Sequence, residues 1–280
     1  MKFGIAIFPT DLSIGVGELA KAVEDRGFES LWVTEHTHIP TSRRSPWPGG
    51  AELPEHYKRI LDPFVALTVA AENSTRLLLG FGILLIIQHD PITAAKAVAS
   101  LDLVSGGRVI LGVGGGWNEE EMEDHGTDPR TRFSLMAERV EAMKALWTDD
   151  EAEYHGRHVD FEPSWSWPKP VQKPHPPILV GGNGAKVIDR VLRFGDEWMP
   201  TVGRDPGIVD RFGEMRERAQ EAGREIPITA SAAPRDLDHL AKLAEAGAHR
   251  AVWYVPPEPY EETKARVKRA AELRREVESL

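Results

Sequence analysis

The sequence contains no cysteine. Disulfides and thiolate nucleophiles are therefore excluded, and secretion gains no support from composition. It also lacks any apolar run near the roughly 20 residues that a membrane-spanning helix needs. Positive charge is in deficit: 34 Lys and Arg stand against 44 Asp and Glu, a formal net charge of −10. That balance disfavours nucleic acid and anionic membrane as partners. The opening residues, MKFGIAIFPTD, have no long apolar signal core and read as a first strand. What remains is 280 residues, 41% hydrophobic and 28% charged, the proportions of a globular chain with a sizeable core. The expectation is a cytoplasmic α/β protein that acts on a small molecule.

Strand-like and helix-like segments alternate along the whole chain, the signature of parallel βα units. Strands are expected at Phe3–Phe8, Ser30–Thr34, within Leu77–Ile87, and at Arg108–Val113, Pro177–Val180, Asp196–Met199, Pro227–Ser231 and Arg250–Val255. Helices fall between them. One runs from the Asp90-Pro91 start to the Gly106 stop, an N-cap and first-turn proline followed by a terminal glycine. Eight such units in one domain, residues 1–280, predict a (β/α)8 TIM barrel; a doubly wound open sheet is the alternative. Two segments are too long to be simple connections, His36–Asp62 after the second strand and Thr148–Pro176 before the fifth. Their aromatic content suggests packed lids.

In a (β/α)8 barrel the chemistry sits at the carboxyl ends of the strands. There the sequence places Thr34-Glu35-His36-Thr37-His38, the glycines Gly80 and Gly82, the run GVGGGWNEEE from Gly112 to Glu121, and GGNG at Gly181–Gly184 before a helix. GGNG exposes backbone N–H groups at a helix start, which suits a phosphate and equally suits a tight turn. GVGGGWN departs from the dinucleotide pattern G-x-G-x-x-G, since Trp117 stands at the third glycine position. It reads better as backbone kept bare for a flat ligand, and Gly80 and Gly82 suggest a bulge or the same close approach. His36 and His38 form a His-x-His pair, but the other strand ends offer Gly, Trp, Asn, Met and Thr, so no metal is expected. No strand ends in a lysine for Schiff-base chemistry. Arg43 and Arg44 could meet an anionic group or simply face solvent.

Three stretches, LWVTEHTHIPTSRRSPWPGG, DPITAAKAVASLDLVSGGRVILGVGGGWNEEE and PPILVGGNGAKVIDRVLRFGDEW, resemble the bacterial luciferase-like oxidoreductase superfamily, and within it the coenzyme F420-dependent branch. The resemblance covers roughly residues 1–200. It implies a homodimeric barrel with a flavin or deazaflavin at the carboxyl ends of the strands. It implies that His36 faces the cofactor ring and handles a proton, with Glu35 beside it. It implies a bulge, often with a cis peptide, at Phe81, Gly82 and Ile83, contact along Gly114, Gly115, Trp117 and Asn118, and a phosphate at Gly181, Gly182, Asn183 and Gly184. Trp117 stands where sugar-phosphate dehydrogenases of the superfamily carry a glutamate acid, which puts that substrate in question; Glu35 or Glu119 could take the role. The function so implied is deazaflavin-dependent hydride transfer to or from a small organic substrate. An FMN-dependent monooxygenase and a non-catalytic flavin-binding protein are the alternatives.

Overall fold

The computed structural model describes residues 1–50 and 52–279. Eight parallel strands form its centre: β1 (Lys2–Ile7), β2 (Ser30–Val33), β3 (Leu78–Phe81), β4 (Val109–Val113), β7 (Ile178–Gly181), β8 (Glu197–Met199), β9 (Thr229–Ser231) and β10 (Arg250–Val255). Between β4 and β7 lies an antiparallel hairpin, β5 (Ala152–His155) with β6 (Asp160–Ser164). Each barrel strand pairs with the next, and β10 lies between β1 and β9. Two parallel bridges, Trp198 with Ile228 and Thr201 with Ser231, bring β8 and β9 together. The sheet thus closes on itself, which rules out the open doubly wound alternative.

The helices α1 (Val16–Glu24), α2 (Pro63–Glu72), α3 (Pro91–Ser105), α5 (Arg132–Thr148), α6 (Val187–Phe194), α7 (Arg211–Glu221), α8 (Leu237–Glu245) and α9 (Tyr260–Glu278) follow the strands, and α4 (Glu119–Asp124) is a short helix at the end of β4. Local chemistry sets several boundaries. Asp62 and Asp90 accept from the main-chain N–H of Val65 and Thr93, each followed by a first-turn proline, so α2 and α3 start there. Gly106 ends α3 at φ 70°, where a side chain would be strained.

The strands bury both faces. Their outer sides pack on the helices in one large apolar cluster, while Ala6, Trp32, Ile110, Leu179, Met199 and Val252 fill the inside of the barrel. Trp32 dominates that interior and explains a glycine the sequence left ambiguous. A Cβ on Gly80 would lie 2.1 Å from the Trp32 ring, so Gly80 is bare for a neighbouring side chain and not for a ligand. Gly112 is bare for the β3 backbone, since its Cβ would meet the Phe81 carbonyl oxygen at 2.0 Å.

Candidate active site

A cavity of about 730 Å³ opens at the carboxyl ends of the barrel strands, within the usual size of a cofactor or substrate site. Strand β2 delivers Thr34, Glu35 and His36 to it. His36 is held from both sides. Its Nδ1 lies 2.6 Å from Glu121 Oε2, and the Trp117 indole N–H donates to its Nε2 at 3.3 Å. Since an indole N–H only donates, Nε2 is the accepting nitrogen and Nδ1 carries the proton given to Glu121; the network assigns the tautomer. The main-chain N–H of Thr37 donates to the other oxygen of Glu121 at 3.1 Å, so both carboxylate oxygens are engaged.

Glu121 was not singled out from sequence, although it lies within the glutamate run after Trp117. The run begins a helix. Asn118 caps α4, and successive positions turn by about 100° around the axis. Glu119 therefore faces solvent near Arg132, Glu120 reaches back to the lid, and Glu121 points at His36. Acidic residues in a first turn also suit the helix dipole. Expecting Glu119 as an acid at the site is thus corrected: its side chain is more than half exposed, 58%.

Glu35 lines the cavity, but its carboxylate turns away from His36. It accepts from the main-chain N–H of Leu85 at 2.5 Å and faces His89 Nε2 at 2.7 Å. Burial acts to lower the His89 pKa, yet the Glu35 hydrogen bond and charge outweigh it and raise it overall. Glu35 thus fastens the segment after β3 to the end of β2. The carboxylate that orients His36 is Glu121, not its sequence neighbour. His38 diverges from His36 altogether, lying outside the cavity with Nε2 3.0 Å from Asp124. Thr37 Oγ1 joins His38 to His125. Among the described residues, no group of three or more His, Asp or Glu side chains is placed to hold a metal.

The segment that Glu35 fastens contains a cis peptide between Gly82 and Ile83. The Tyr254 hydroxyl donates to the Gly82 carbonyl at 3.2 Å. Gly82, Ile83, Gly114, Gly115, Trp117, Gly181, Gly182 and Gly184 all line the cavity, as expected of candidate cofactor contacts. Three other candidates do not. The Phe81 ring is buried outward against Phe64. The Asn118 side chain caps α4. Asn183 braces its own turn, giving and accepting a hydrogen bond with the Thr201 main chain. Each shapes the wall from behind.

The glycines differ in what they leave room for. Gly114 is bare for Ile83, which its Cβ would meet at 2.2 Å, so the bulge after β3 is itself packed into that space. Gly182 has φ 124° and no atom within 4 Å of a Cβ position, and Gly184 meets only the end of Arg190 at 3.9 Å. Here the bare backbone faces open cavity. Arg190 of α6 reaches the same end, its guanidinium stacked 4.0 Å from the Phe133 ring and its Nε without a protein partner. Sequence reading missed Arg190, whose position one turn into α6 was the available signal.

The first long segment folds over the opening as a lid. Trp47 packs edge-on to Tyr57 at 5.7 Å, Tyr57 lies 4.9 Å from Phe8, and Tyr57 lies 5.4 Å from His36. Glu120 anchors it, accepting from the Ser45 main-chain N–H at 2.9 Å. Burial would raise the Glu120 pKa, but the hydrogen bonds from Ser45 outweigh it and hold it at about 2. Arg44 pairs with Glu123 on the surface, and Arg43 lies 5.6 Å over the Trp117 ring. The second long segment, by contrast, runs beside α3 and α5, with Trp165 and Trp167 exposed and outside the cavity.

Residues 14–279 match the family model described as luciferase-like monooxygenase. An uncharacterised protein of Mycobacterium tuberculosis is 41% identical over 277 residues, 97% of this chain and 98% of its own. An FMNH2-dependent dimethylsulfone monooxygenase of Pseudomonas putida is 30% identical over 161 residues, 56% of this chain and 44% of its own. The coenzyme F420-dependent tetrahydromethanopterin reductase of Methanopyrus kandleri shares the fold, with a TM-score of 0.74 over 97% of this chain and 96% of its own at 18% identity.

Proposed function

The chain belongs to the luciferase-like monooxygenase family of oxidoreductases, and within it we propose a coenzyme F420-dependent enzyme that moves hydride to or from a small organic substrate, with His36 handling the accompanying proton. One observation carries this reading. The imidazole is fixed at the cavity wall with Nδ1 on Glu121 and Nε2 turned to the Trp117 side, the tautomer that can accept a proton at Nε2.

The cavity fits a flat ring with a phosphate-bearing arm. Gly82 and Ile83 would hold one side of the ring and Gly114–Gly116 an edge, while Gly182 and Gly184 would leave their N–H groups and open space to a phosphate at the start of α6, with Arg190 beside it. When bound, a deazaflavin supplies two-electron hydride chemistry; the protein orients it and excludes water. His36 accepts or returns one proton at Nε2. Glu121 keeps the ring oriented and stabilises the imidazolium that forms, acting through His36 as a positioning residue. Glu35 and Tyr254 hold the Gly82–Ile83 segment.

Fluorescence titration of the apo protein with oxidised F420 and with FMN tests the reading. Preferential binding of F420 is expected. Preferential binding of FMN would favour the second reading, an FMN-dependent monooxygenase, which the Pseudomonas putida relative supports. Binding of neither would overturn both.

A further inference from the structure

The turn after β7 is fastened from behind by one side chain. Arg211, the first residue of α7, lies outside the cavity wall. Its Nη1 donates to the carbonyls of Asn183 at 3.4 Å and Gly184 at 3.3 Å, and its Nη2 donates to that of Ala185 at 3.2 Å. Its Nε donates to Glu214 Oε2 at 2.9 Å, which aims the guanidinium. The preceding carbonyl, that of Gly182, accepts from the Trp198 indole N–H at 3.0 Å, and Trp198 itself packs on Phe212 of α7. Four successive carbonyls are thus drawn toward α7. In a trans peptide the C=O and the following N–H point in opposite directions. The N–H groups of Asn183, Gly184, Ala185 and Lys186 therefore turn the other way, at the start of α6 beside the open space at Gly182 and Gly184. Among the described residues, none of these four N–H groups donates to a protein acceptor.

Resting on the functional reading above, we propose that Arg211 is the positioning residue of this turn: by holding three successive carbonyls from outside the cavity, it presents the opposite N–H groups to the phosphate-bearing arm of the cofactor. A row of N–H groups binds an anion best when its orientation is fixed beforehand, since no ordering is then left to bind against. Two observations favour this role over a simple tie between helices. A cation in the first turn of a helix is opposed by that helix's own dipole, so the place of Arg211 does not serve α7. Moreover, α7 and α6 are already tied by Arg218, whose Nη2 lies 2.8 Å from Asp189. The planar fork of arginine reaches several carbonyls at once, which the single ammonium of a lysine does not reproduce.

The test reads the binding of pairs that differ only in the phosphate-bearing arm: FMN against riboflavin, and F420 against its ring-and-ribityl core. In Arg211→Met the preference for the phosphorylated member of whichever pair binds should fall about tenfold, the worth of one or two hydrogen bonds to a charged group, while the bare member keeps its affinity within about twofold. Arg211→Lys, which keeps the charge and loses the fork, should recover only part of the preference. Equal weakening of both members would make Arg211 a structural tie, and full recovery with lysine would reduce it to its charge; either result overturns the proposal. Should Arg211→Met not fold, Glu214→Ala, which frees the guanidinium, carries the same test: a smaller fall in the preference is expected, and an unchanged preference overturns the proposal. If neither ring is bound, the functional reading falls, and titration with inorganic phosphate followed by phosphorus NMR decides the role of Arg211 alone. Weaker phosphate binding in Arg211→Met supports it, and equal binding removes it.

Discussion

The two ends of the barrel are built from the same eight strands and treat polar groups in opposite ways. At the amino end, Arg250 at the start of β10 is buried among Glu29, Glu197 and Thr229, with its Nη1 3.0 Å from Glu197 and 2.8 Å from Thr229. Burial pushes the Glu197 pKa up against the pull of Arg250, so this cluster is costly to dehydrate and is tolerated because each member answers another. At the carboxyl end, Thr34 Oγ1, Trp47 Nε1 and Arg190 Nε around the cavity have no protein partner. Buried polar atoms without partners are rare in native structures. The contrast is between a buried ion cluster whose members answer one another and a cavity wall where these three polar atoms have no protein partner.

The largest expected effect tests the carboxyl end. His36→Ala should lower turnover by roughly 10² to 10⁴, the range for a general acid–base, while cofactor affinity stays within about tenfold. Unchanged turnover would remove His36 from the chemistry. Glu121→Gln should lower turnover less, because the imidazolium loses a neighbouring negative charge while Nδ1 keeps an acceptor; turnover equal to that of the parent protein would make Glu121 merely structural.

At the amino end the effect should fall on stability instead. Arg250→Met strands the buried Glu197 and should cost about 3–5 kcal/mol in chemical denaturation. The double variant Arg250→Met/Glu197→Leu should recover part of that loss. If it is no more stable than the single variant, the cluster is not governed by desolvation.

Smaller effects separate two kinds of glycine. Gly182→Val should weaken FMN more than riboflavin, by about tenfold or the loss of one or two hydrogen bonds to phosphate. Equal weakening would argue against a phosphate at that turn. Gly80→Val, which meets Trp32, should instead destabilise the fold by about 1–3 kcal/mol through overpacking.

The smallest expected effect concerns the lid. The folded-state pKa of Glu120, about 2, lies below its ordinary value of 4.5. Its contribution is therefore complete above about pH 4.5 and is lost as pH falls through 2. Proteolysis of the segment 36–62 by an acid-active protease should accelerate over that window. Glu120→Gln should show faster cleavage already at pH 5, with a weaker pH dependence. A lid equally resistant in both proteins would mean that the Ser45 anchor is dispensable.

Most of the fold was legible because its signals are local. The strand expected at Arg250–Val255 has those bounds in the structure, and the Asp-Pro start and glycine stop of α3 work as read. The third strand falls within Leu77–Ile87 as expected and covers only Leu78–Phe81, because an apolar run does not reveal where a cis peptide and a 3₁₀ turn break the ladder. Within the site, His36 stood out as a titratable group at a strand mouth, and the glycines stood out as bare backbone. Their purposes did not: Gly80, Gly112 and Gly114 make room for Trp32, the Phe81 carbonyl and Ile83, side chains and backbone brought close by pairing between strands.

By itself, the sequence determined the alternation of strand and helix, the closed barrel that eight such units favour, and the end of that barrel where the cavity opens. Periodicity and capping act within a few residues, so they can be read along the chain. Only the tertiary structure decided which carboxylate serves which histidine. Glu35 is one residue from His36 and bonds to His89, while Glu121 is 85 residues away and holds His36 at 2.6 Å. Neighbours on an extended chain point to opposite faces. The partner of a strand-end side chain therefore comes from another strand's loop, and closure of the barrel is what brings it within reach.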